Sequence, residues 1–281
     1  MALRILIVTA VAAEADSVAR GITFGGPGSG EFPLPGGFVL RRHADTGPAG
    51  QAAVVDVLVG GVGPASAAAA TATALAHAAA APAQATHAPA AASAQGTHTP
   101  AAAHDPAAAP HAPYDLVVSA GIAGGFQPLA PLGSVVVSDA IVSADLGAQT
   151  PDGYLTVEEL GFGRSSHAVG GTLTRRISAA LAQGARPHTV APVLTVSTVT
   201  GTAERADELA RRHPRAAAEA MEGFGVAEAA AAYGLPVVEI RAVSNAVGPR
   251  DRAAWRIGEA LDSLRHTFQL LSTSVFVEPA P

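Results

Sequence analysis

The sequence predicts an α/β fold of three layers, a single domain over residues 1–281 with a central mixed β-sheet flanked by helices. Three observations carry that expectation. Strand-like and helix-like segments alternate along most of the chain. The strand-like segments are short unbroken runs of Val, Ile and Leu rather than alternations of apolar and polar residues, as expected of strands covered on both faces. Near the C-terminus, Ile257, Leu261, Leu264, Phe268 and Leu271 recur at spacings of three and four, which draws one apolar stripe along a helix.

Taken in order, a first strand is expected over residues 3–9, "LRILIVT", entering a helix near Glu14. Arg4, a short apolar run and small residues mimic the start of a signal peptide, but removing them would delete an apolar element and the acid that follows it. Strands are expected at 37–43 and 53–59. The cluster "GGVGPAS" (60–66) then leads into a helix over 65–80. From 78 to 113 the chain is mostly Ala, Pro, His and Thr. Proline recurs too often there for a helix, and nothing is large enough to build a core, so a disordered insertion is expected. Its His87, His98, His104 and His111 have no rigid spacing and no accompanying carboxylate, which argues against a metal tract.

Beyond the insertion, strands are expected at 116–119, 134–141, 190–199 and 237–243. The cluster "SAGIAGGF" (119–126) reads as a glycine turn after the first of these. Helices are expected at 172–183, 203–212, 223–233 and 251–275, with Gly234 and Pro236 marking the end of the third. No internal repeat is visible.

Composition narrows the function. The chain has 281 residues, 49% hydrophobic and 14% charged, enough to bury a sizeable core. Its net charge of −6 forms no basic stripe, which argues against a nucleic-acid partner. There is no cysteine, so disulfides, thiolate catalysis and Cys-based zinc sites are excluded, and a reducing cytoplasm is the expected setting. No uninterrupted run is long enough to span a bilayer.

In such folds ligands bind beyond the carboxyl ends of strands, so polar residues at strand ends are the candidates. Glu14 follows the first strand, Met221 and Glu222 open a helix in "AEAMEGFGVAEAAAA", and Asn245 closes the last strand. Alone, Glu14 serves equally as a first-turn acid favoured by the helix dipole, and Asn245 as a cap or turn residue. Glu222 says more: an acid among Met221, Gly223 and Phe224 is costly to bury unpaired and requires a partner from protein or ligand.

Together, "GGVGPAS", "SAGIAGG", "GSVVVSD", "AMEG" and "IRAVSN", in this order after a strand and Glu14, resemble the purine nucleoside phosphorylase and nucleosidase superfamily. The nearest layout is the methylthioadenosine/S-adenosylhomocysteine nucleosidase type, and the resemblance covers nearly the whole chain outside 78–113. It implies N-glycosidic bond cleavage in a small-molecule nucleoside, with no metal or organic cofactor and with assembly as a homo-oligomer. It also implies roles for particular residues. Glu14 would activate the attacking water, and Glu222 would bind the ribose hydroxyls with Met221 packed along the sugar. Ala120, Gly121 and Ile122 would approach the substrate through backbone, while Arg241 and Ser244 would support the base-binding loop and count among the substrate-binding residues. Phe126, Phe224 and Trp255 are aromatic candidates for the pocket wall. Asn245 stands where methylthioadenosine nucleosidases carry an aspartate.

An asparagine amide offers one NH₂ and one carbonyl, which suits O6 and a protonated N7 together and so implies a 6-oxopurine rather than adenine. No arginine accompanies Glu14 or "GGVGPAS", which favours water over phosphate as nucleophile. Two further stretches, "DLGAQTPDGYLTVEELGFG" (145–163) and "SNAVGPRDRAAWRIGEAL" (244–261), resemble one hydrolytic branch of the superfamily. That branch releases hypoxanthine from a nucleoside carrying a 3-carboxyphenyl ketone on the 5′ side. Arg164, His167, Arg250 and Arg252 are candidates for its carboxylate. The rival expectations are another 6-oxopurine nucleosidase or phosphorylase, a methylthioadenosine/S-adenosylhomocysteine nucleosidase, and a nucleoside-binding protein that has lost catalysis.

Overall fold

The computed structural model of the protein describes residues 3–45, 53–80 and 114–277. The expected insertion and its four histidines fall almost wholly outside these residues. The chain begins with strand β1 (Leu3–Thr9) and helix α1 (Ala12–Gly21), followed by an edge hairpin of β2 (Gly30–Pro33) and β3 (Val39–Asp45). Next come β4 (Ala53–Val59), α2 (Pro64–Ala80), the long strand β5 (Leu116–Gly125) and β6 (Val135–Ser143). A small hairpin of β7 (Gly147–Thr150) and β8 (Gly153–Thr156) and the short β9 (Ser166–Ala168) precede α3 (Gly171–Gln183) and β10 (His188–Thr195). The last elements are α4 (Ala203–Arg212), β11 (Ala218–Ala220), α5 (Gly223–Ala232), β12 (Val237–Ala246) and α6 (Ile257–Ser272).

The main sheet is mixed and has ten strands, in the order β11-β10-β6-β12-β5-β1-β4-β3-β2, with β9 paired to β6. β11 also pairs antiparallel with β5, so β11, β10, β6, β12 and β5 close into a ring at one end of the sheet. Parallel β1 lies between β4 and β5, which explains its unbroken apolar run: Ile5, Leu6 and Ile7 are fully buried. One helical layer contains α1, α3 and α6; the other packs α2 against α5. The second contact depends on small residues, since a Cβ at Gly225 would collide with the Pro64 carbonyl. The expected stripe on α6 is largely buried, with Leu264, Phe268 and Leu271 fully enclosed.

Several expectations are corrected. The 119–126 cluster is not a turn but the second half of β5. There it pairs with β12 as far as Gly125 and with β11 at Gly124 and Gly125, so backbone pairing on both sides holds a strand that side-chain propensity would not. The final helix starts later than residue 251, because a short 3₁₀ turn at Arg252–Ala254 precedes Trp255 and α6. The expected 190–199 strand ends at Thr195, and the expected 37–43 strand begins at Val39 behind a 3₁₀ turn at Pro35–Gly37.

A buried polar knot ties the start of β5 to the sheet. Asp56 on β4 is fully buried and accepts from the Arg42 guanidinium at 2.7 and 2.8 Å and from the Tyr114 hydroxyl at 2.8 Å. Beside it, the Arg4 N–H donates to the Asp115 carboxylate at 2.7 Å.

Candidate active site

Beyond the carboxyl ends of β1, β5 and β12 lies a cleft of about 370 Å³. Its walls include Glu14, Ile122, Met221, Glu222, Ser244 and Asn245. Local folding places each of them. Glu14 sits in the first turn of α1 and reaches back to accept from the Ala10 and Val11 N–H groups at 2.9 and 3.2 Å. Its other oxygen accepts from the Ile122 N–H on β5 at 2.9 Å. Burial pushes the Glu14 carboxyl above its ordinary value, and this outweighs the lowering by nearby Arg241 and by the backbone N–H groups.

Glu222 begins α5 and is 6% exposed. It accepts from the Gly63 N–H at 3.3 Å and pairs with Arg241 at 3.0 Å. The partner its sequence environment demanded is therefore Arg241. That arginine is buried on β12 and does not line the cleft. Its Nε donates to Glu239 at 2.7 Å and its Nη2 to Ser119 at 3.1 Å. Burial alone would depress its pKa, but the Glu239, Glu222 and Glu14 carboxylates more than reverse that, so it stays charged. Arg241, expected to touch the substrate, is instead the cation behind the two cleft acids. The odd charges within the apolar β12 run, Glu239 and Arg241, are explained by this pairing.

Asn245 is fixed by its neighbours. Its Nδ2 donates to the Ala246 carbonyl at 2.9 Å, and the Ser244 hydroxyl lies 2.8 Å from its Oδ1. An amide has two donor hydrogens and two acceptor lone pairs, so one of each remains for a ligand.

Other candidates fall elsewhere. Ala120 and Gly121 lie within β5, beneath the cleft rather than on its wall. A Cβ on Gly121 would stand 2.5 Å from both Glu14 and Arg241, so the bare backbone there is what lets the two groups approach. Phe126 packs into an apolar cluster with Leu194 and Leu209. Phe224 packs against His167 with the rings tilted by 56° and their centroids 5.3 Å apart, while Arg164 and His167 both bond Glu228 one helical turn farther on; all are committed to each other away from the cleft. Arg250 and Trp255 do line the cleft, with the Arg250 guanidinium 5.5 Å from the Trp255 ring centre. Arg252 does not line it, and its guanidinium lies 5.9 Å from the Trp255 ring centre.

Sequence reasoning missed Val62, Val199, Thr200 and Glu219, all on the cleft wall. Glu219 is 5% exposed, and burial raises its pKa. The signal for it was an acid flanked by alanines three residues before Glu222, within a strand too short to show a pattern. Among the described residues, no cluster of three or more His, Asp or Glu is arranged to hold a metal ion, and no helix is long and apolar enough to cross a membrane.

The cleft thus lies at strand ends, bounded by carboxylates with a buried arginine behind them. Residues 4–275 match the phosphorylase superfamily, and the chain belongs to that family. Among its curated relatives, it is similar to futalosine hydrolase of Streptomyces coelicolor, 53% identical over 93% of this chain and 92% of the relative. It is also similar to futalosine hydrolase of Acidothermus cellulolyticus, at 40% identity over 98% of this chain and 92% of the relative. Among solved structures, futalosine hydrolase of Helicobacter pylori superposes with a TM-score of 0.70 at 14% identity, covering 96% of this chain and 97% of that one. S-adenosylhomocysteine nucleosidase of Streptococcus pyogenes gives 0.72 at 16% identity, covering 99% and 98%. At these identities the structural likeness describes the fold.

Proposed function

We propose that the protein is a nucleosidase that hydrolyses the N-glycosidic bond of futalosine, releasing hypoxanthine and dehypoxanthine futalosine in the futalosine route of menaquinone biosynthesis. The carrying observation is near-full-length identity of 53% and 40% to relatives named futalosine hydrolase. The cleft supports the same chemistry. Breaking the bond between the sugar and N9 builds positive charge on the ribose and moves negative charge into the purine, and both must be met as they form. Glu222 faces the sugar hydroxyls and favours the cationic ribose. Glu14, ionised, takes a proton from water as it attacks the anomeric carbon. Asn245, with one donor and one acceptor free, matches O6 and a protonated N7 of the departing hypoxanthine.

Water suits this cleft better than phosphate. Among the described residues lining it, the one cationic side chain is Arg250, against Glu14, Glu219 and Glu222. A dianion beside these carboxylates is disfavoured. Lack of cysteine supports a cytoplasmic setting. A homo-oligomer, dimer or larger, is supported by the family resemblance and by apolar side chains left in solvent around the β7–β8 excursion, where Phe162 is 81% exposed.

Incubation with futalosine, inosine and methylthioadenosine, each with and without phosphate, tests the reading. Hypoxanthine released from futalosine in phosphate-free buffer is the expected result. Strict phosphate dependence makes the protein a phosphorylase, and preference for methylthioadenosine refutes the reading of Asn245.

A further inference from the structure

We propose that Glu239, which no substrate can touch, is a positioning residue for the cleavage: it holds the Arg241 guanidinium and answers its charge, so that Glu222 and Glu14 keep theirs for the cationic sugar and the attacking water. This rests on the functional reading above and adds to it the residue that sets the charge of the cleft.

Three observations carry it. First, three carboxylates converge on one cation. Arg241 Nε donates to Glu239 at 2.7 Å, and its Nη2 stands 3.0 Å from Glu222. Its Nη1 and Glu14 Oε1 lie so close that one Cβ added at Gly121 would be 2.5 Å from each. With Glu222 and Glu14 as its only acids, the arginine would cancel half of the charge offered to the developing ribose cation. Glu239 restores that charge from behind. Second, the strand that carries the arginine also carries its partner. Glu239 and Arg241 are two residues apart on β12, so their side chains share one face. Glu239 at Nε and Ser119 at Nη2, 3.1 Å away, hold the guanidinium at two points and aim it at the cleft acids. Third, room is made for this carboxylate: a Cβ on Gly223 would collide with it. Gly223 opens α5 directly after Glu222, so the buried acid lies against the backbone that presents the cleft acid.

Stability does not account for this acid. Glu239 is fully buried, its Oε2 has no hydrogen-bond partner among the described residues, and burial raises its pKa by more than Arg241 lowers it. A buried ion pair gains little over apolar packing, and an unanswered carboxylate oxygen in the core is costly. The charged groups facing Glu239 are Arg241 of its own strand and Glu222 of α5, and the same two face Glu14. A change of charge at Glu239 therefore reaches the cleft through Arg241. Without that charge the guanidinium pulls harder on both cleft acids: Glu14 ionises at lower pH, and Glu222 offers less to the sugar.

The test is Glu239→Gln, in which the amide oxygen still accepts from Arg241 Nε and only the charge is lost. Rates with futalosine are measured across pH, together with Kd for two unreactive ligands. One is a nucleoside analogue with a protonated pyrrolidine ring in place of ribose, and the other is its uncharged counterpart with the ring oxygen. The expected result is a kcat about 10-fold lower with KM within about twofold, and a ratio of cationic to uncharged affinity lower by about 10-fold. The acid limb of kcat/KM should move to lower pH, and urea unfolding at pH 7 should find the variant at least as stable as the wild type. A merely structural role would lower stability and weaken both ligands alike, leaving the affinity ratio and the acid limb in place. That result overturns the proposal, and so does a variant that fails to fold or one that folds with the wild-type kcat. A wild type that releases no hypoxanthine from futalosine overturns the functional reading and this inference with it. An active wild type with an unchanged affinity ratio in the variant overturns the inference alone.

Discussion

Replacing Arg241 by methionine removes the cation behind the site while keeping much of its volume. Arg241 is 1% exposed and bonds Glu239 at 2.7 Å and Glu222 at 3.0 Å. Breaking a buried pair by removing one member costs about 3–5 kcal/mol. The size can be worked for Glu239, which is fully buried and, among the described residues, forms its salt bridge with Arg241 alone. A stranded carboxylate escapes by binding a proton. From its ordinary value of 4.5, protonation costs about 3 kcal/mol at pH 7 and only about 0.7 kcal/mol at pH 5. A group whose pKa is raised on folding contributes stability at low pH that is lost as pH rises. Arg241→Met is therefore expected to lose about 3 kcal/mol of unfolding free energy at pH 7, and to regain most of it by pH 5. Urea unfolding of variant and wild type at pH 5, 6 and 7 measures this. Arg241 also lowers the Glu14 pKa, so the acid limb of the variant's kcat/KM profile should move to higher pH. Equal stability at pH 7, or a loss of the same size at pH 5, refutes the reasoning.

Three further outcomes are expected. Glu14→Gln should lower kcat/KM for futalosine by about 10²–10⁴-fold; the wild-type acid limb should lie above 4.5, because burial raises the Glu14 pKa, and it should vanish in the variant. Asn245→Asp should cut futalosine turnover by about 10–100-fold and shift preference toward the 6-amino analogue; an unchanged ratio of the two rates counts against the role of the amide. Gly121→Ala drives a methyl into both Glu14 and Arg241, each 2.5 Å away, and should cost about 1–3 kcal/mol of stability. Thermal unfolding and a kcat/KM measurement should both register that change, and wild-type values in either refute the close approach.

The layers of the fold and the order of the main strands and helices were legible because buried strands and amphipathic helices leave periodic marks, while the bounds matched at both ends for only a few elements. β1, β4 and α4 matched their expected bounds. What escaped was held by pairing rather than by side chains. The second half of β5 is alanine and glycine, so it read as a turn, and β2 and β11 are too short or too exposed to show a period. At the site, Glu14, Met221, Glu222, Ser244 and Asn245 were placed on the cleft by order along the chain. Arg241 was misjudged because sequence order does not say whether a residue stands before a ligand or behind it. Glu219 was invisible since its position depends on β11 closing against β5, a contact between segments about a hundred residues apart.

The knot at Asp56 has a consequence for how the gene can be altered. Helix α2 ends at Ala80, and the return of the chain is anchored at Tyr114 by its bond to Asp56 and at Asp115 by the Arg4 backbone. With the returning chain fastened to the sheet at these two neighbouring residues, the register of β5, and hence of Gly121 and Gly124, is set just before the strand begins. Any edit of the gene between the codons of Ala80 and Tyr114 therefore has to leave Tyr114 and Asp56 alone, because their bond is what starts β5 in register.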